Sequence, residues 1–403
     1  MQLVFKDPSF SYELLRVLGY AASGGADIGE CLSTASRIQE GDFESWYTEW
    51  SKTAERVEAL AAASLARGSH QSACEAYLRA SSYYRSAEFY LHTTPGDERW
   101  LSTWEKSRSC FRQALKLLAY PCEEVEIPYE GTTLPGYFYR ADLSPTPRPT
   151  LIVHGGYDST GEELYFMHAL AALQRGYHCL TFEGPGQGRV IRLQHVPFRP
   201  DWEAVVTPVV NFLGTQPHVD PQRLALLGVS FGGYLAPRAA AYEHRLAACI
   251  AVDGVFSFFE GIQPFFPHAF SEQASAQGQD LEARYQAAGQ VLMQQSITLR
   301  WAITQGMWTF GAPSLSAYVR LASAYTMEGI AGQITCPTLI CDGEHDQFFA
   351  GQAKKLYDAL TCSKSYHLFS EEEGAGEHCQ AGASLRLNQE VFEWLDEVFS
   401  QRR

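Results

Sequence analysis

From Pro121 onward the chain alternates short apolar runs with segments of helical periodicity, and that alternation restricts it to a doubly wound, mostly parallel sheet with helices on both faces. Val125 to Tyr129 and Leu134 to Tyr139 read as a hairpin, and Thr150-Leu-Ile-Val153 as a short buried strand. Further strands are expected at about 178–182, 224–228, 247–252, 338–341 and 365–369. Helical segments fall between and after them, near 161–175, 201–214, 231–243, 350–360 and 385–399. One interval breaks the rhythm. Residues 255–330 carry no strand signal and are rich in Phe, Trp, Gln and Ala, so they read as a helical lid insertion in a catalytic domain spanning 121–403.

Ahead of Pro121 the signals are helical. Asp42 can cap a helix through Trp46, Trp50, Ala54, Val57 and Leu60, stopped by Gly68. Ser69 can start the next, which carries Cys74, Tyr77, Ala80, Tyr84, Ala87 and Tyr90 and ends at Pro95-Gly96, with a third expected over 97–118. Residues 1–120 therefore read as an antiparallel helical domain that packs through its aromatic stripes and can roof a neighbouring site. Its outer side offers a surface on which two copies could pair as a homodimer.

The 403 residues are 46% hydrophobic and 19% charged, the balance of a globular chain. A net charge of −15 provides no basic footprint for nucleic acid, so the expected partner is a small-molecule substrate. With no export signal at the start and no apolar run long enough for a bilayer, neither a membrane association nor secretion is expected, and the chain reads as cytoplasmic. Ten cysteines without a Cys-x-x-Cys pair favour reduced thiols over disulfides, and no Cys/His spacing suits a metal. Glu183-Gly-Pro-Gly-Gln-Gly188 lacks the Lys-Ser/Thr pair of a phosphate loop and reads as a tight turn lining the site, so no cofactor is implied.

Chemistry concentrates at Gly228-Val-Ser230-Phe-Gly232, between the apolar run Leu224–Leu227 and a helix starting near Gly233. A serine on such a strand-to-helix turn is held out of the sheet as a nucleophile, and it needs a base and an acid that orients the base. Asp346 stands in the loop after the strand at 338–341, at the third position after Gly343, in company with Asp342 and Glu344. His378 follows the last strand in a glycine-bearing loop that can fold back, whereas His345 adjoins the acid and His367 lies within a strand. The order Ser230, Asp346, His378 is that of an α/β-hydrolase. Phe231 N is one expected oxyanion donor, and the second is expected from His154-Gly-Gly-Tyr157, with Gly156 preferred and Tyr157 next to it. His154 itself is expected to bond the loop, and Ser159 with Glu162 and Thr160 with Glu163 form two overlapping capping boxes.

With these residues in place, the chain from about 121 to its end resembles the α/β-hydrolase superfamily. A narrower likeness is carried by Trp46, Trp50 and Tyr83-Tyr84, by His154-Gly-Gly-Tyr-Asp-Ser-Thr-Gly-Glu-Glu163, and by Glu372-Glu-Gly-Ala-Gly-Glu-His-Cys-Gln380. These resemble the family containing 2,6-dihydroxypseudooxynicotine hydrolase, to which the fermentation-respiration switch protein and the fungal yellowish-green-type polyketide hydrolases are related. The resemblance implies a site enclosed by helical domain and lid, and cleavage of an ester or of a carbon–carbon bond beside a ketone. Such cleavage releases a carbanion that must be stabilised and protonated. By position, Glu260 stands where the family's additional acid is expected, against the alternative of a solvated lid residue. Trp301, Trp308, Phe310 and Tyr318 would either contact an aromatic or polyketide-like substrate or pack the lid. An esterase, thioesterase or peptidase of the same fold, or a non-catalytic partner protein, is the alternative.

Overall fold

A computed structural model describes residues 3–94, 96–265 and 281–400. Pro95, expected above to end a helix, and residues 266–280 of the insertion lie outside the described residues. Five helices come first: α1 (Pro8–Gly19), α2 (Ile28–Ala35), α3 (Phe43–Ala66), α4 (His70–Glu88) and α5 (Arg99–Leu115). The last three match the sequence reading; α1 and α2 were not anticipated. The signal for α1 is nonetheless local, since Asp7 accepts from Ser9 N and Phe10 N and Pro8 opens the first turn. Asp42 caps α3 through Glu44 N, whereas the Ser69 side chain makes no capping bond to α4.

Eight strands form one sheet: β1 (Cys122–Tyr129), β2 (Thr132–Tyr139), β3 (Arg148–His154), β4 (His178–Phe182), β5 (Val219–Val229), β6 (Ala248–Val252), β7 (Thr338–Gly343) and β8 (Lys364–Phe369). The spatial order is β1-β2-β4-β3-β5-β6-β7-β8, antiparallel at the hairpin end and parallel from β4 onward. Every expected strand is present. The register pairs Ile152 with Leu226 and Leu226 with Cys249, so the central strands present apolar side chains to both faces. Leu151 and Val153 face one way, into a core continuous with Trp46, Trp50 and Tyr84 of the helical layer. Ile152 and Leu226 face the other way, against Trp202 and Leu235. The insertion after β6 contributes helices Phe258–Ile262, Leu281–Gln295, Ile297–Thr309 and Leu315–Ala322. Among the described residues no helix is long and apolar enough to cross a membrane. All ten cysteines are free thiols, eight of them buried.

A buried ion network joins the helical layer to the segment after β3. Arg85 of α4 reaches Glu163 at 3.0 Å, Asp158 at 2.7 Å and Glu88 at 3.0 Å, and Arg16 of α1 reaches Glu163 and Asp158, each at 2.8 Å. Arg192 meets Glu88 from the other side at 2.9 Å. The capping boxes are only part of this picture. Glu163 does accept from Thr160 N, but its two oxygens also hold arginines; Glu162 accepts from Tyr137 Oη, and Ser159 Oγ accepts from Gly156 N. Removing one partner strands the others without water, and breaking a buried pair costs about 3–5 kcal/mol. Arg85→Met is accordingly expected to lower unfolding free energy by about that amount in a urea titration; a change below about 1 kcal/mol would place the network among weak surface pairs.

Candidate active site

The carboxyl ends of β5, β6, β7 and β8 supply the reactive groups, as the geometry of open parallel sheets favours. After β5 the backbone turns at Ser230, whose φ is +61°, a conformation disfavoured for residues with a Cβ. The turn closes because Gly228 passes so near the following helix that a Cβ there would lie 2.1 Å from Gly232 O. Ser230 Oγ lies 2.8 Å from His378 Nε2. On the far side of the ring, His378 Nδ1 is 3.0 Å from Asp346 Oδ1 and 2.8 Å from Asp253 Oδ2, and its N–H is aligned squarely with neither. The imidazole thus stands between one hydroxyl and two carboxylates.

Asp346 is held by the amides of Phe348 (2.8 Å) and Phe349 (3.0 Å). Asp253, at φ +57°, accepts from Cys379 N and from Gln380 Nε2. Burial disfavours the charged form of His378, but Asp346 and, less strongly, Asp253 outweigh it and hold its pKa well above the ordinary value. Burial likewise opposes ionisation of Asp346, yet His378 and the two amides carry its pKa below the usual range. The other acids of the loop are engaged elsewhere. Asp342 accepts from Tyr366 Oη at 2.7 Å and is pushed by burial to about 6, and Glu344 accepts from Glu371 N. His345 pairs with Glu371 and His367 with Glu390. Asp253, His378 and Cys379 place potential ligand atoms within 4.8 Å of one another, but both Asp253 oxygens accept hydrogen bonds from the 379–380 segment and His378 Nε2 is taken up by Ser230 Oγ.

Asp253 was not anticipated. Its signal is an acid directly after the apolar run Ala248–Val252, on the strand next to the serine's; Val252 pairs with Val229, so Asp253 and Ser230 leave neighbouring strands at one level.

The loop after β3 packs on the elbow. A Cβ on Gly156 would lie 2.6 Å from both Phe231 N and Val229 O, which fixes glycine at that position. The N–H of Gly156 donates to Ser159 Oγ at 3.2 Å, so it is taken up inside the loop. The backbone N–H groups of Phe231 and Tyr157 have no hydrogen-bond acceptor among the described residues. His154 bonds Gly155 O at 2.9 Å, and burial lowers its pKa to about 4. Tyr157 is clamped by the insertion: Gln305 Nε2 donates to its carbonyl, and its hydroxyl donates to Ala302 O at 2.7 Å and lies 2.7 Å from Tyr318 Oη.

A cavity of about 140 Å³ opens over Ser230 and His378, walled by Phe89, Phe258, Trp301 and Phe348 among others. That is roughly ten times the space one water needs, so it suits an organic molecule. Three expected site residues lie elsewhere. Glu260 pairs with Lys355 at 2.5 Å on the surface, where its exposed side chain fits the solvated alternative. Trp308 stacks on His92 and lies over Arg192, outside the cavity wall. Glu183 is buried beneath the β3 loop, accepting from Gly161 N and Arg189 N, with burial pushing it to about 7.

This fold and site define an α/β-hydrolase, and the chain belongs to that family: residues 150–381 match the alpha/beta hydrolase family model. More narrowly it belongs with the FrsA-like esterases, whose model matches residues 29–260 and so spans helical layer and sheet together. The 20-hydroxy-prefusarin hydrolase FUS2 of Gibberella moniliformis is 36% identical over the whole of this chain and 99% of its own length. The hydrolase acrC of Aspergillus aculeatus is 35% identical over 98% of this chain and 97% of its own. The crystal structure of 2,6-dihydroxy-pseudo-oxynicotine hydrolase superposes with a TM-score of 0.73 at 25% identity, covering 94% of this chain and 95% of that one. The chain is a hydrolytic enzyme.

Because Gly156 touches backbone on two sides, Gly156→Ala forces the loop off the elbow. Displacement of about 1 Å can cost on the order of 100-fold in rate, and ester hydrolysis by this variant is expected to fall at least that far while its circular dichroism stays unchanged.

Proposed function

We propose that the enzyme is a serine hydrolase of small, largely apolar carbonyl compounds, cleaving an ester or a carbon–carbon bond beside a ketone. The observation that carries this reading is the 2.8 Å approach of Ser230 Oγ to His378 Nε2, with carboxylates 2.8 and 3.0 Å from the ring's other nitrogen. His378 takes the proton of Ser230 as Oγ attacks the carbonyl carbon. The N–H groups of Phe231 and Tyr157 receive the developing oxyanion, Tyr157 taking the part first expected of Gly156. Collapse breaks the scissile bond, and His378 returns its proton to the leaving oxygen or enolate carbon. Water, deprotonated by His378, then frees Ser230 from its acyl ester. Asp346 and Asp253 together orient the imidazole and offset its charge. The aromatic wall and the relatives named as hydrolases support a substrate of the polyketide kind that the sequence resemblance implies.

Ser230→Ala is expected to reduce hydrolysis of a short-chain nitrophenyl ester by roughly 1,000-fold or more; turnover that survives it would refute the reading. In the single-acid template, replacing the acid by Asn costs about 10⁴ in kcat. Here Asp346→Asn and Asp253→Asn should each lose far less, and the double variant about that much. A full loss in either single variant would show that the two carboxylates do not share the task.

The base works unprotonated, so activity should rise with pH through the elevated pKa of His378. Each Asn variant removes a negative charge from beside the ring and so lowers that pKa. The acid limb of the kcat/KM profile should therefore move to lower pH, further for Asp346→Asn than for Asp253→Asn.

A further inference from the structure

Five residues of α1 line the cavity, four of them with polar side chains: Ser9, Tyr12, Glu13 and Arg16. The spacing of these four puts them on one face of the helix, which gives a mostly apolar chamber a polar stretch of wall. Three of the four are committed. Ser9 Oγ shares a hydrogen with Tyr90 Oη at 2.7 Å, Tyr12 Oη donates to the His378 carbonyl at 3.1 Å, and Arg16 is held by Asp158 and Glu163.

Glu13 is not committed. Its nearest cation, Arg16 Nη1, is 3.6 Å away, beyond hydrogen-bond range, and among the described residues its carboxyl neither gives nor receives a hydrogen bond. The side chain is 11% exposed, and the cavity is what it lines. Burial raises its pKa to about 8 against the opposing charge of Arg16; Asp158 and Glu163, from the segment after β3, raise it further, and Arg85 from α4 lowers it. Tyr12 of the same helix and Tyr90 of the segment after α4 are further titratable groups packed near it. At neutral pH this carboxyl is mostly protonated, a hydrogen-bond donor with no acceptor among the described residues. A buried polar group left in that state is costly unless a ligand completes it.

We propose that Glu13 is a substrate-recognition acid, donating its O–H to a carbonyl oxygen of the bound molecule and so selecting ketone- or ester-bearing substrates over hydrocarbons of the same shape. The proposal rests on the hydrolase reading only in taking this cavity as the substrate site.

Binding to the Ser230→Ala protein separates recognition from turnover. By calorimetry, 1-phenylbutan-1-one should bind Ser230→Ala about tenfold more tightly than Ser230→Ala/Glu13→Met, the worth of roughly one hydrogen bond. Butylbenzene, the same skeleton without the oxygen, should bind both alike. Glu13→Gln, which keeps a donor, should stay within about threefold of the parent. Ketone affinity should fall as pH rises through about 8 when Glu13 is present and stay level when Gln replaces it, a readout that survives even if the Met variant fails to fold. Equal loss for both ligands, a Gln variant as weak as Met, a flat pH profile with Glu13 present, or no binding of the ketone would each overturn the proposal. A wild-type protein without Ser230-dependent hydrolysis would sink the hydrolase reading instead, with ketone discrimination still measurable.

Discussion

The guanidinium of Arg85, buried among Glu88, Asp158 and Glu163, is the contact on which the arrangement of this molecule turns. A charge withdrawn from water is tolerable only when its partners are already in place, so the network forms only when α4, α1 and the segment after β3 are docked together. That segment begins with the loop packed against the elbow. The helical layer is therefore tied to the loop over the elbow, and the core it shares with one sheet face says the same in apolar terms.

Strain is concentrated at the opposite edge of the site. Of the six non-glycine residues with positive φ among the described residues, Ser230, Asp253, Cys379 and Gln380 meet within one cluster. Each such conformation costs on the order of 1–3 kcal/mol and persists only where neighbours over-determine it. Here the neighbours are each other. Asp253 accepts from Cys379 and Gln380, and Ser230 N donates to Val252 O, which aims the serine and the second acid from adjacent strands at one imidazole.

Much of this was legible in the sequence because it is periodic or local. The eight strands follow from apolar runs, and Ser230, Asp346 and His378 follow from their places at strand ends. What escaped depends on three-dimensional proximity. Helix α1 is short, and its polar face, Ser9 to Arg16, reads as ordinary surface until the cavity beneath it is seen. Asp253 follows the apolar run Ala248–Val252, but sequence alone does not tell an acid facing a histidine from one facing water. Glu260 stands by position where the resembled family's additional acid is expected, with a solvated residue as the alternative; a short helix has an outer face, and Lys355 meets Glu260 there. Gly156 is preferred in the sequence as the second oxyanion donor; the space there admits only glycine, but its N–H is spent on Ser159, which is a matter of loop geometry.

Tyr157 links two functions that are usually discussed apart. Its backbone N–H has no acceptor among the described residues, while its carbonyl and hydroxyl are bonded to Gln305 and Ala302 of the helix Ile297–Thr309, and a Cβ on Gly306 of that helix would lie only 2.1 Å from the hydroxyl. Lifting that helix to widen the entrance would break the bonds that fix Tyr157. On the mechanism proposed above, admission of a ligand and readiness to react thus draw on the same few hydrogen bonds, and a chamber opened by moving that helix would be an unready one.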